Sequence, residues 1–391
     1  MKKFGTIAIF LLVLSVSCTT ITKDMNLNVE FSNFPELIAG NGQQNQPGLA
    51  GPITGVISDY LIIAGGSNFP DSLPWHGGTK TYYDQVYYVN TNNIDSGWKI
   101  STKKLNEPLA YSACVTVDNK IICVGGENQD GPTSRIIMIS KHAHDFDFQE
   151  QTKLPFAVSN AGIANIDSKI YIAGGTGVNG ALSSFYCADI TTDSMHWSRL
   201  PEIPLPLSHA VVVNQWDGSE QCIYVLGGRN KTSELTEFFS AVWKYSPAKN
   251  KWTKCGEITK GENEPFALTA GTGVAVGENS ILLFGGDHGT LFNKTEDFIN
   301  RILKENETEK KSELVKQKNS HLQNHPGFDR VILIYNTLTN VCQQMGTLPH
   351  AAQLTTTAVK NDNNIFIPSG EVKPGIRTPE VTCLKVSKSR H

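Results

Sequence analysis

The sequence predicts an all-β chain folded as a six-bladed β-propeller, closed by N- and C-terminal strands in one sheet and carrying one helical loop insertion. Three observations predict it. An apolar hairpin ending in a glycine pair recurs along the chain. A tyrosine- or aliphatic-rich strand follows each copy, and an aromatic-led strand then follows in the first four. The two chain ends hold complementary parts of one further unit. Units that bury their faces only against their neighbours define ring and solenoid architectures.

Glycine pairs stand at Gly65-Gly66, Gly125-Gly126, Gly174-Gly175, Gly227-Gly228 and Gly285-Gly286, and a sixth copy reads Ser369-Gly370. Two apolar runs precede each, split by a polar turn such as Asp118-Asn119 or Asn361-Asp362-Asn363. That is the pattern of a buried hairpin, and the glycines mark a sharp turn with no room for a Cβ. Downstream, residues 86–89, 136–139, 185–186, 242–245 and 331–335 supply third strands. Residues 98–105, 148–155, 197–201, 252–258 and 341–349 supply fourth strands. The glycine pair with downstream Tyr and Trp resembles the kelch repeat, whose period of roughly 50 residues fits once loop insertions are allowed.

The chain ends test the ring independently. The sixth copy has a third strand over 381–386 but no fourth, whereas residues 27–31, followed by Phe34-Pro35, have fourth-strand character. Pairing them would complete the last blade and leave no long free edge. The propeller is therefore expected over 27–386, after a signal segment 1–18 and a linker 19–26, and before a tail 387–391. Excursions at 67–85, after Gly228, at 287–330 and around Glu371 all join second to third strands, so all open on one face. The longest mixes Phe298, Ile302, Leu303, Leu314 and Val315 with many charges, which predicts one or two surface helices within about 290–327.

A net charge of −3 with 18% charged residues lacks the basic excess that a nucleic-acid partner requires. Lys2, Lys3 and an apolar core over 7–16 form an export signal. That core is too short to span a bilayer, which takes about 20 apolar residues. Ser15-Val16-Ser17-Cys18 resembles a bacterial lipoprotein box. Two outcomes follow: acylation of Cys18 anchors the protein to the envelope, or simple cleavage frees it into the periplasm. Cys114, Cys123, Cys187, Cys222, Cys255, Cys342 and Cys383 are too irregularly spaced for a disulfide framework. Cys114 and Cys123 face each other across a hairpin, as a bridge or as buried free thiols. No Cys-x-x-Cys pair or His/Cys cluster has metal-ligand spacing.

A propeller alone defines no function, so the loops must. Ionisable residues on the insertion-rich face include Lys80, Asp84, Arg229, Glu234, Asp287, His288, Glu371, Lys373 and Arg377. Glu371 stands apart because it directly follows an inner strand and so starts near the axis. Pro374-Gly375 fits a type II turn, which folds Arg377 back beside Val372 and near Glu371. Alone, this pair is either a surface ion pair worth under about 1 kcal/mol or a functional site.

The stretch Gly370-Glu371-Val372-Lys373-Pro374-Gly375-Ile376-Arg377-Thr378 resembles the signature loop of the bacterial N-acetylneuraminate epimerases, sialic acid mutarotases built on six kelch repeats. The resemblance implies that Glu371 is the proton acceptor and that Arg377 lies in the active site. Gly65-Gly66-Ser67-Asn68-Phe69-Pro70, with the loop through Lys80, Tyr82 and Tyr83, is a second point of similarity, and it implies substrate contacts for Asn68, Phe69 and Lys80. Gly285-Gly286 followed by Leu291-Phe292-Asn293 is a third. The order of these loops is that of a cyclically permuted branch.

The implied reaction interconverts the α and β anomers of free sialic acid by ring opening and needs no metal or organic cofactor. Glu371 would take the anomeric hydroxyl proton, and Arg377 would hold the sugar carboxylate bidentately. The acid that serves the ring oxygen is open among Lys80, Lys373, a tyrosine and water. The main rival is a non-catalytic kelch propeller that binds glycans or proteins. A sialidase would need Asp-box repeats, which the chain lacks. A copper radical oxidase would need a Cys–Tyr pair and two His ligands.

Overall fold

The computed structural model describes residues 27–40, 42–142, 145–191, 195–232, 234–261 and 264–388. The export signal, the linker and Cys18 lie outside them. Six four-stranded antiparallel sheets form the blades of a propeller. Blade 1 runs Ile53–Ile57, Tyr60–Ala64, Val86–Asn90 and Lys99–Ile100. Blades 2 to 5 repeat this order, beginning at Ala113–Val117, Gly162–Ile166, Val211–Trp216 and Thr272–Val276. The outermost strands of blades 1 and 3 are shorter than expected, at Lys99–Ile100 and Ser198–Arg199.

Blade 6 is assembled from both chain ends. Val359–Asn361, Asn364–Pro368 and Val381–Lys388 are joined by Leu27–Ser32, in register from Leu27 opposite Lys388 to Ser32 opposite Cys383. The last strand runs two residues beyond the expected 386 because Leu27 and Asn28 have partners there.

The core is divided into six layers, each between consecutive blades. Ile57, Ile62, Ile121 and Phe146 pack blade 1 on blade 2, and Leu37, Val56, Phe366 and Val381 close blade 6 on blade 1. An inner strand is therefore covered on both faces. This is why strands such as Tyr60–Ala64 and Ser280–Phe284 lack polar alternation. Trp98 and Trp252, which lead fourth strands, donate their indole N–H to the carbonyls of Pro35 (2.9 Å) and Pro201 (2.8 Å) in the neighbouring segments.

The glycine pairs clasp one blade to the next. Gly125 sits at φ +66°, and a Cβ there would lie 2.2 Å from the Val158 carbonyl. Gly126 donates to that same carbonyl at 2.8 Å. A further ring lies just inside. Tyr111, Asn160, His209, Ala270 and Thr355, with Gly51, all adopt left-handed φ of 53–62°. Each N–H in this set donates to the carbonyl of the equivalent residue one blade back, Gly51 closing the circle on Thr355 at 2.6 Å. Six backbone bonds thus encircle the axis, independently of the paired chain ends.

Ser369 occupies the position of the first glycine at φ +54° and is fully buried. Its hydroxyl accepts from Leu49 N and donates to the Thr378 carbonyl, both at 2.7 Å. The departure from Gly-Gly therefore ties the N-terminal segment to the sixth loop. Ser369→Ala is expected to destabilise by about 3 kcal/mol, since it leaves two buried backbone groups unpaired. Ser369→Gly relieves the backbone but restores neither bond, so it too should melt below wild type in a calorimetric scan.

Cys114 and Cys123 are opposite each other in register and, with the other described cysteines, are free thiols. No helix among the described residues is long and apolar enough to cross a membrane.

Candidate active site

One residue after each glycine pair starts the loop on the insertion-rich face. These residues are Ser67, Glu127, Thr176, Arg229, Asp287 and Glu371, and each forms an isolated antiparallel bridge to the strand entering its own blade. Together they surround the mouth of the axis. In five blades the loop continues as a small two-stranded ribbon, for example Glu371–Lys373 with Ile376–Arg377. In blade 5 it becomes two helices instead, α1 (Thr290–Lys304) and α2 (Thr308–Gln323).

The sixth ribbon turns at Pro374-Gly375, with Gly375 at φ +73° as a type II turn requires. The register differs from expectation in one respect. A bulge between Glu371 and Lys373 sets Arg377 directly opposite Glu371 rather than beside Val372. Glu371 Oε1 accepts from Gly375 N at 2.7 Å and lies 3.3 Å from Arg377 Nη1. The Arg377 side chain is only 5% exposed, yet its Nε and Nη1 have no hydrogen-bond partner. The Phe69 ring packs against this guanidinium at 4.7 Å. Glu371, Arg377 and Phe69 are therefore brought together.

Asn68 and Lys80 are both engaged by protein partners. Asn68 is 1% exposed; it donates to the Gly48 carbonyl at 2.9 Å and accepts from Tyr83 Oη at 2.7 Å. It braces the wall behind Phe69. Lys80 Nζ lies 3.1 Å from Glu127 Oε1 and over the rings of Tyr82 and Tyr111. Glu127 also accepts from Tyr82 Oη (2.8 Å) and Ser159 Oγ (3.1 Å). Burial opposes the Lys80 charge, but Tyr111, Glu127 and Tyr82 outweigh it and raise its pKa. Burial and the bond to Glu127 push the Tyr82 phenol up to about 12. Lys80 is thus a fixed cation and Tyr82 a neutral donor near pH 7, and neither readily gives up a proton there.

A cavity of about 320 Å³ opens at the mouth of the axis. Arg229, Asp287 and Glu371 form its charged side, and Leu291, Phe292, Leu322 and Phe328 form an apolar side supplied by the helical insertion. The insertion is pinned by Glu296 of α1, which is buried and accepts from Lys231 Nζ (2.7 Å), Thr236 N (2.7 Å) and Thr236 Oγ1 (3.0 Å). From the other side, Asn319 of α2 donates to the Trp75 carbonyl at 3.3 Å, and a Cβ on Gly375 would meet Pro74 and Trp75. Blades 1, 4, 5 and 6 thus meet over the site. Glu296→Ala is expected to speed amide exchange across both helices while blade strands keep their protection.

His209 is a site residue that the sequence reading did not single out. It belongs to the left-handed inner ring, deep at the axial channel, and its Nε2 lies 3.2 Å from Arg229 Nη2. Burial, and then the Arg229 charge, hold its pKa well below the usual histidine value. Among the described residues no three His, Cys, Asp or Glu side chains are grouped as metal ligands would be.

Fold and site define a six-bladed propeller that carries a carboxylate–guanidinium pair at a half-roofed cavity over the axis. A family model described as N-acetylneuraminate epimerase matches residues 13–145 and 152–391, and the chain belongs to that family. Among curated relatives, the N-acetylneuraminate epimerase of Salmonella typhi is 32% identical over 228 residues, which is 57% of this chain and 53% of that one. The Brucella melitensis epimerase is 25% identical over 257 residues, 64% of this chain and 60% of that one. The chain spans about half the length of the curated relatives it matches. The solved structure described as "Structure of YjhT" superposes with a TM-score of 0.61 at 14% identity, covering 91% of this chain and all of that one, a likeness of fold.

Proposed function

We propose that the protein is a carbohydrate epimerase that interconverts the α and β anomers of free N-acetylneuraminate. The observation that carries this reading is the buried Arg377, directly opposite Glu371 and ion-paired with it through Nη1, with its Nε donor unpartnered. A buried guanidinium with open donors is costly unless a ligand uses them, and a carboxylate matches its planar fork. N-acetylneuraminate carries a carboxylate on the anomeric carbon, beside the hydroxyl whose proton must leave.

In the forward step Glu371 takes the proton of the anomeric hydroxyl. That oxygen becomes the ketone, the bond from the anomeric carbon to the ring oxygen breaks, and the ring oxygen takes a proton from water. Rotation about the carbon–carbon bond between the ketone and the adjacent methylene presents the other carbonyl face, and the reverse sequence closes the second anomer. On this reading the enzyme acts beyond the inner membrane, in the periplasm or held to the envelope through Cys18.

The test is to release the α anomer in the presence of the protein and follow the C3 methylene proton signals of the two anomers by NMR. Wild type is expected to reach the equilibrium ratio faster than buffer alone. A rate equal to the spontaneous one, with the sugar still bound, would replace this reading with that of a glycan-binding module.

A further inference from the structure

Ring opening has two ends to serve. One is the hydroxyl proton that leaves, and the other is the ring oxygen that gains an electron pair. Glu371 lines one side of the cavity from blade 6, with Arg377 opposite it on the same ribbon. Arg229 holds the same post-glycine position in blade 4, two blades round the ring, and lines the same cavity.

Asp287, Glu371 and Glu296 face Arg229 and favour its charge, but none is within ion-pair distance of it. Lys80 and Lys231, on the same face, are spent on Glu127 and Glu296. The guanidinium of Arg229 instead meets His209 Nε2 at 3.2 Å, and its plane is set by the Phe292 ring at 4.7 Å. An arginine only donates, so His209 Nε2 accepts. Its Nδ1 then carries the proton and donates to Ser208 Oγ, 2.9 Å away. The imidazole is neutral and orients the arginine without cancelling its charge.

We infer that Arg229 is a further catalytic residue, whose guanidinium donates a hydrogen bond to the ring oxygen as the ring opens, with His209 as its positioning residue. The inference rests on the epimerase reading above. As the ring carbon–oxygen bond breaks, its electron pair settles on the ring oxygen. Arg229 stabilises that developing charge and loses no proton; water supplies the proton that makes the new hydroxyl. A fixed cationic donor aimed at a developing oxyanion acts only in the transition state, so its removal shows in kcat.

The experiment measures anomer exchange by saturation-transfer NMR across sugar concentrations. Arg229→Gln is expected to lower kcat by about 10²–10³-fold with KM within a few-fold of wild type. Arg229→Lys, which keeps charge and volume, should fall between the two, and it is the variant to score if the glutamine form does not fold. His209→Met should lower kcat alone, and His209→Gln, whose amide oxygen replaces the acceptor, should recover much of it. A kcat unchanged in Arg229→Gln or Arg229→Lys, or a loss carried wholly by KM, overturns the role. Failure of wild type to accelerate exchange would instead defeat the epimerase reading, so the two outcomes are distinct.

Discussion

Glu371→Gln is expected to slow catalysed anomer exchange by about 10²–10⁴-fold, the usual worth of a positioned general base. The substitution is nearly isosteric. An amide oxygen still accepts from Gly375 N and still faces Arg377, so the turn keeps the 2.7 Å bond that shapes it. What is lost is the capacity to take a proton. Binding should survive, because the sugar carboxylate is held by the arginine, and the glutamine form should show KM close to wild type with kcat collapsed. The melting temperature should move little, since Glu371 is only partly buried and its hydrogen bonds are retained. Glu371→Asp keeps the base but withdraws it by one methylene from the turn, and it should lie between the two. Retention of more than half of wild-type kcat in Glu371→Gln would remove Glu371 from the chemistry and leave the pair as a structural ion pair.

The ring was legible because its physics is repetitive. Inner strands buried on both faces are apolar almost throughout, and a turn pressed against the next blade favours glycine, so the strands recur at each copy and the glycine pair at five of six. Closure was legible for the complementary reason that Leu27–Ser32 lacks any neighbouring strand nearer than the C-terminus. Other features were hidden. The register bulge at Val372 has no local mark, and the brace role of Asn68 depends on contacts with Gly48 and Tyr83 that no local pattern encodes. Glu127 and Arg229 do share a signal with Glu371, since the first two directly follow a glycine pair and Glu371 follows its Ser369-Gly370 counterpart. Reading that one column across the six copies would have raised both above ordinary loop charges. His209 had no such mark. Its position is defined by left-handed backbone geometry around the axis, and histidine, alanine, asparagine, threonine, tyrosine and glycine all occupy it.

The cyclic order of the blades follows from the same geometry. Six backbone bonds pass from blade to blade without regard to where the chain begins. A ring held this way presents the same axial residues whichever loop is cut, provided the cut ends can pair as Leu27–Ser32 and Val381–Lys388 do. What the choice of cut does change is the seam, and Ser369 is its signature. Its hydroxyl joins Leu49, after the first strand, to Thr378, at the end of the loop that carries Glu371 and Arg377. Seam and site are thus mechanically continuous, so loosening the closure should reach the catalytic ribbon before it reaches blades 2 to 4.

Arg377→Met should separate function from stability in opposite directions. In the free protein the guanidinium is buried with Nε unpartnered and Nη1 held only by its 3.3 Å ion pair to Glu371, and an orphaned buried donor costs about 1–3 kcal/mol, more when charged. Methionine fills the space over Phe69 without that penalty, and Glu371 keeps its bond to Gly375. The variant is therefore expected to melt at or above the wild-type temperature. Binding should suffer instead. Two charge-assisted bonds to a carboxylate are together worth about 3–5 kcal/mol, which at 1.4 kcal/mol per decade predicts an affinity loss of about 10²–10³-fold. Arg377→Lys retains the charge but not the fork, and it should recover only part of that loss. Calorimetric melting and sugar titration of the same three proteins decide the matter. A structural ion pair would lose stability with binding untouched, whereas an anion site loses binding and keeps or gains stability, because the strain of an open guanidinium is carried by the protein only until its ligand arrives.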